Sequence, residues 1–392
     1  MTMYLPMRLP WIVTLVTALG TGVFTGPVFS SEGGTGEEFI PSPGVFAPAS
    51  AGKPFIGELI SVDPVNRRGA LRLLGDGVDD RYHSAPPHRF ALLPYGTVRY
   101  HGAPAELRDV PIGTVLHGDF VLPPEGDTTI PKAPKGLEKY VPKENHALRL
   151  EDGMSFFLRH QRHWKITTVD TAKQQLRALP EGPTVPGFVP REELIDFDGS
   201  TRFWKGRQPV GAEQMKVGSA VQMNFTWSPD WRYGRVHCLD MWLDEESVSS
   251  AKEMQRQTHL RYTLHRWLPG WVDSVEHLPG GRGTVTVTLF SGMDPSLYER
   301  AKAQSRPGGG ASLAAAEYTL RGYWQDHDSK NGPIVEWKEL PDPPPGSSGI
   351  QVKIRIQELL EGFRPTRVVR FRPNGFPNVK LPPEERLNWV LE

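Results

Sequence analysis

The sequence predicts a mostly β protein of tandem small barrels with one linking helix. Three observations carry that prediction. The first is an internal repeat: Leu59-Ile-Ser-Val-Asp63 returns as Ile166-Thr-Thr-Val-Asp170 and as Val272-Asp-Ser-Val-Glu276, at steps of 107 and 106 residues. The second is punctuation: 40 Gly and 38 Pro among 392 residues call for many turns and short strands rather than a helical bundle. The third is period-two alternation, cleanest in Gly283-Thr-Val-Thr-Val-Thr-Leu-Phe290.

Taken in chain order, residues 1–30 read as a signal peptide. A short start carrying Arg8 leads into an apolar run from Leu9 to Phe24, with Val28 and Ser30 suited to a cleavage site. The run falls short of the about 20 apolar residues that a membrane span needs. Cleavage near Ser30 and export to the periplasm or the exterior are expected, with no later membrane span. Residues 31–54, rich in Gly, Ser, Pro and Ala, read as a disordered lead.

The first barrel unit is placed at 55–122. Its second strand is Gly69-Ala-Leu-Arg-Leu-Leu74, and Gly113 precedes its last strand. Residues 123–145 hold five prolines among charges and read as a linker. The second unit, 146–241, repeats the landmarks: Thr97 aligns with Thr201, Gly102 with Gly206 and Gly113 with Gly218. A glycine before a barrel strand suits a bend or bulge. Residues 242–266 predict the linking helix. Acidic residues follow Asp244, no Gly or Pro interrupts, and His265 and Arg266 close it in accord with the helix dipole. The third unit, 267–392, repeats the first two strands and then acquires insertions. One is a short helix with Asp294 as N-cap and Pro295 in its first turn.

Five or so short strands in about 65 residues are too few for a sandwich and suit a partly closed barrel of the OB-like or SH3-like type. The opening "V-D" strand, the "T-x-hydrophobic" strand and a Met215, Gly218, Val221 pattern resemble exported bacterial families of unknown function with repeated OB-like barrels. The first unit departs from that pattern, with Val110, Gly113 and Leu116 in those places. The resemblance spans about 170 residues, implies a fold, and carries over no catalytic residue.

Composition narrows the function. Forty-five basic and 45 acidic residues leave no net charge, which disfavours a nucleic-acid binder. A single cysteine, Cys238, excludes an intramolecular disulfide and reads as a small buried hydrophobe. No nucleophile elbow, zinc helix, phosphate loop or dinucleotide fingerprint is present. His160 and His163 have ligand-like spacing, but Arg159 and Arg162 flank them; His83 and His88 form a second loose pair. Asp196-Phe-Asp-Gly-Ser200 resembles the start of a calcium loop, yet Arg207 stands where the closing glutamate belongs. No metal or cofactor is expected.

The remaining signal is aromatic and cationic. Trp227-Ser-Pro-Asp-Trp-Arg-Tyr233 predicts a loop bearing three aromatics, with Trp204 nearby in the same unit. Phe363-Arg-Pro-Thr-Arg-Val-Val-Arg-Phe-Arg372 interleaves four arginines with apolar residues and could face an anionic surface. Candidate ligand contacts are therefore Trp227, Trp231, Tyr233, Trp204, Arg367 and Arg370. The favoured reading is a non-catalytic binding or scaffold protein of the bacterial cell envelope, its partner an envelope protein or polymer. The alternatives are an envelope-polymer hydrolase with scattered acids and, third, a nucleic-acid binder of the OB type.

Overall fold

A computed structural model describes residues 39–74, 85–185, 188–228, 235–315, 329–382 and 385. Barrel one comprises β1 (Lys53–Asp63), β2 (Arg68–Leu73), β3 (His88–Tyr100), β4 (Ala103–Ala105), β5 (Val115–Val121) and β6 (His146–Asp152). It closes in the order β1-β2-β3-β6-β5 and back to β1, with β3 and β6 parallel; β4 extends β3 as a small hairpin. Its core is apolar, led by Leu59, Leu71, Phe90, Leu116, Phe120 and Leu150. Closure pairs the strand edges that an open meander of this size would leave bare.

The short helix α1 (Gly153–Arg159) follows β6, capped by Asp152, whose carboxylate accepts from the Ser155 N–H. Barrel two then repeats the plan with β7 (His163–Asp170), β8 (Gln175–Glu181), β9 (Glu193–Asp196), β10 (Arg202–Lys205), β11 (Gln208–Val210), β12 (Ala220–Thr226) and β13 (Arg235–Trp242). It closes as β7-β8-β9-β13-β12, with β9 and β13 parallel. The hairpin β10–β11 matches the end of β3 and β4, and β10 also runs parallel to β13.

Helix α2 (Glu245–Arg266) begins as predicted, with Asp244 and Ser247 capping each other. Barrel three comprises β14 (Leu268–Leu278), β15 (Arg282–Phe290), β16 (Gly310–Ala315), β17 (Ser329–Glu339), β18 (Ser347–Ile356) and β19 (Val368–Pro373), with α3 (Pro295–Gln304) after β15. Asp294 caps α3 and Pro295 occupies its first turn. This barrel closes as β14-β15-β18-β17-β16-β19 with every pair antiparallel. The fold is thus mostly β with three small closed barrels.

The repeated motif is a bulge. Strand register slips between Leu59 and Ser61, between Ile166 and Thr168, and between Val272 and Ser274. The residue before each slip exchanges backbone bonds with the turn that precedes a barrel strand: Leu59 with Gly113 and Thr114, Ile166 with Gly218 and Ser219, Val272 with Thr366 and Arg367. Gly113 and Gly218 adopt φ of 97° and 87°, so glycine is favoured there. In barrel three Thr366 takes the same turn at φ 74°.

Two expected boundaries move. Residues 123–145 do not separate units one and two. They connect β5 to β6 within barrel one, because β6 pairs with both β3 and β5. The lead is also not wholly loose: Phe46 packs edge-on against Tyr95, Trp271 and Phe290, and the Ala47 N–H donates to the Tyr95 hydroxyl at 2.9 Å. Burying an aromatic ring offsets the cost of ordering those few residues.

The barrels interlock. Asn224 of β12 donates to Asp152 at 2.7 Å and accepts from the Met154 N–H at 2.9 Å, joining barrel two to barrel one. From α2, Gln255 donates to Pro104 O and Asp109 of barrel one, while Arg256 pairs with Asp294 beside barrel three.

Candidate functional site

A cleft of about 1190 Å³ is built on the β5–β6 connection of barrel one. Seven prolines of that connection and its surroundings (Pro86, Pro87, Pro123, Pro124, Pro131, Pro134 and Pro142) line it with Leu122, Ile130, Ala133 and Val141. Ile40, Pro41 and Pro43 of the lead complete the wall. The sequence limits the freedom of this wall. Proline fixes φ and loses no side-chain entropy on ordering, so a proline-lined wall holds its shape without paired strands. The β6 end that closes the connection starts at His146, and the preceding Glu144 pairs with Lys53 of β1 at 2.9 Å.

Charges sit among the apolar walls. Arg89, Lys132 and Lys143 are balanced by Glu125, Asp127 and Glu138. Asp127 lies 3.5 Å from His146 Nε2, and Asn145 Oδ1 lies 2.9 Å from His146 Nδ1. Burial lowers the His146 pKa, and the nearby Asp127 carboxylate opposes that shift. The Asp127 carboxylate also accepts from the Thr129 N–H at 3.2 Å, which makes a local turn in the connection. Such a concave, mostly apolar surface with few polar groups suits an apolar or extended ligand.

The predicted contacts do not form one site. Trp231 and Tyr233 lie outside the described residues. Trp227 sits under the Arg72 guanidinium of barrel one, 4.7 Å from its ring, so it packs between barrels rather than at a loop tip. Trp204 is half-buried on β10 and donates its indole N–H to Asp240 at 3.2 Å. Arg367 is exposed, whereas Arg370 is buried against barrel one. Strand alternation explains the last two: Val369 and Phe371 point into barrel three, which sends Arg370 outward into the space between barrels.

The weaker expectations fall out in the same way. His88 is buried with its ring against Phe55 and Phe120, and burial pushes its pKa down to about 4; His83 lies outside the described residues. The His160 ring packs on Phe156, and His163 lies 3.7 Å from Glu181. Asp198 serves a turn, accepting from the Ser200 N–H, while Asp196 pairs with Arg235. Cys238 is buried and its thiol pKa is raised by that burial. Among the described residues no group of three or more His, Cys, Asp or Glu could hold a metal ion. None of their helices is long and apolar enough to cross a membrane.

Sequence reasoning misses the cleft because proline among charges is equally the composition of a linker. The available signal was position: the aromatic loop after β12 and the proline-rich segment after β5 occupy the same connection of two repeated barrels. The chain matches no family model, and comparison with curated proteins and with solved structures finds no match.

Proposed function

We propose that the protein is an exported, non-catalytic binding protein of the cell envelope whose ligand seat is the proline-lined cleft of barrel one. The observation that carries the reading is the cleft itself: about 1190 Å³, largely apolar, and walled by residues that lose little entropy on binding. The strand order, with one parallel pair closing a five-stranded barrel, is consistent with the OB type, and the cleft lies on the connection where such barrels commonly take ligands. The balanced charge of its lining favours an apolar or peptidic envelope ligand over a polyanion such as a nucleic acid.

Titration with an apolar fluorophore, read by emission, tests the seat. A single saturable site is expected, and Ala133→Trp, which fills the wall, is expected to weaken it by about tenfold, near 1.4 kcal/mol. Linear, non-saturating emission, or identical binding by the variant, would sink the proposal. N-terminal sequencing of the secreted chain tests export: cleavage near Ser30 is expected, and a chain retained with Met1 inside the cell counts against it.

One observation favours the hydrolase alternative, the Asp127–His146 pair beside the cleft. Turnover of an activated ester by the purified chain, abolished by His146→Gln, would favour that reading instead.

A further inference from the structure

A second cavity, about 230 Å³, lies where barrel one, the end of α2 and barrel three meet. Three guanidinium groups line it, those of Arg67, Arg266 and Arg370, against the single carboxylate of Glu106. Arg67, held at φ 53° in the β1–β2 turn, spends its fork on three backbone oxygens: Leu93 O at 3.0 Å, Pro94 O at 2.7 Å and Gly96 O at 2.9 Å. Arg266 donates to the Tyr262 hydroxyl at 2.9 Å. Arg370 is 9% exposed, and its Nε is buried without a hydrogen-bond partner among the described residues.

The electrostatics are unbalanced. Burial pulls the Arg370 pKa down to about 9, Arg266 and Arg67 pull the same way, and Glu106 opposes them. Burial would raise the Glu106 pKa, yet Arg67, Arg266 and Arg370 outweigh it and hold the carboxyl below its usual range. One carboxylate against three cations leaves an excess of two positive charges in the lining, with Arg266 and Arg370 buried, an arrangement that is unfavourable without a counter-charge. Arginine forks match planar or tetrahedral oxyanions, and the cavity is too small for a nucleotide but large enough for one such group on a small body. Leu92, Phe290 and Val368 supply an apolar wall for that body.

We infer that this cavity is an anion site that takes the phosphate or carboxylate group of a small ligand, with Arg370 as its principal donor. It is independent of the proline-lined cleft. An anion there offsets the excess positive charge of the junction and ties barrel one to barrel three.

Thermal unfolding and calorimetric titration of the full chain test the site, using inorganic phosphate, sulfate and benzoate against chloride at matched ionic strength. A saturable rise in unfolding midpoint is expected for at least one oxyanion and not for chloride. Arg370→Met is expected to weaken that binding at least tenfold, while unfolding no more readily than wild type in oxyanion-free buffer. Glu106→Gln, which removes the competing carboxylate, is expected to tighten it severalfold, and it keeps the test alive should Arg370→Met not fold. A preference for phosphate points to a phosphorylated ligand and a preference for benzoate to a carboxylate; either sustains the site. No saturable oxyanion effect in wild type, equal binding by Arg370→Met, or unchanged binding by Glu106→Gln would overturn it.

Discussion

The three barrels can be compared at one interior position. In barrel one the ladder Leu59–Leu71 continues to His88. In barrel two Ile166–Ala178 continues to Glu193. In barrel three Val272–Val287 continues to Val352. All three residues are buried. The two ionisable ones are held neutral from opposite sides. Burial pushes the His88 pKa down to about 4 and the Glu193 pKa up to about 8, with Arg191 opposing the latter shift. A barrel interior therefore accepts a titratable side chain at this point, but only in its uncharged form. Barrel three, where Val352 packs with Ile354 and Val285, carries no such constraint.

The strongest way to break the comparison is to give barrel three the residue of barrel two. Val352→Glu is expected to cost about 3 kcal/mol or more, since it adds bulk and an unpartnered carboxyl to a filled core; urea unfolding at neutral pH measures it. A cost near zero would mean that the three positions are not equivalent in environment.

Next in size is the pH dependence of the two natural cases. His88 has a folded pKa below its unfolded value near 6.5, so its contribution is present above that value and is lost as pH falls toward 4. Glu193 has a folded pKa above its unfolded value near 4.5, so its contribution is complete below that value and is lost as pH rises through about 8. Each limb is expected to span on the order of 3 to 5 kcal/mol, at about 1.4 kcal/mol per pKa unit. Glu193→Gln should flatten the alkaline limb alone and His88→Leu the acid limb alone, in urea midpoints taken from pH 4 to pH 9. Variants that shift the whole curve in parallel would place the titration elsewhere.

The smallest effect concerns the shared turn. Gly218→Ala is expected to cost about 1–2 kcal/mol from the left-handed backbone alone, because no atom stands within 4 Å of the added methyl. Thr366→Gly is expected to gain about 1 kcal/mol, since a β-branched residue bears the same conformation there. Calorimetric midpoints moving in opposite directions would sharpen the equivalence of the turns; equal signs would dissolve it.

Much of the fold was legible because its repeated unit is local. The Leu59, Ile166 and Val272 segments match one another because each bulge is specified within five residues, and the caps Asp244 and Asp294 announce their helices. Strand β6 was misplaced because its partners, β3 and β5, are set by long-range pairing across a proline-rich excursion. The third barrel's closure was illegible for the same reason: β16 and β17 fill the slot between β18 and β19 that a single parallel strand fills in the other two. The candidate site was less legible still. Arg370 could be singled out from the arginine-rich tail, but Arg67 and Glu106 meet it only through the packing of separate barrels. Nothing in a linear sequence reports that neighbourhood.

The proline-rich connection also bears on how the chain would come apart. It is the obvious place for a protease to cut, yet a nick between Pro131 and Pro134 leaves β6 clasped by β3 on one side and β5 on the other. Asp152, at the end of that strand, still caps α1 and still holds Asn224 of the neighbouring barrel. The two fragments would then travel as one particle, and scission there would loosen the rim of the cleft without releasing either end of the protein.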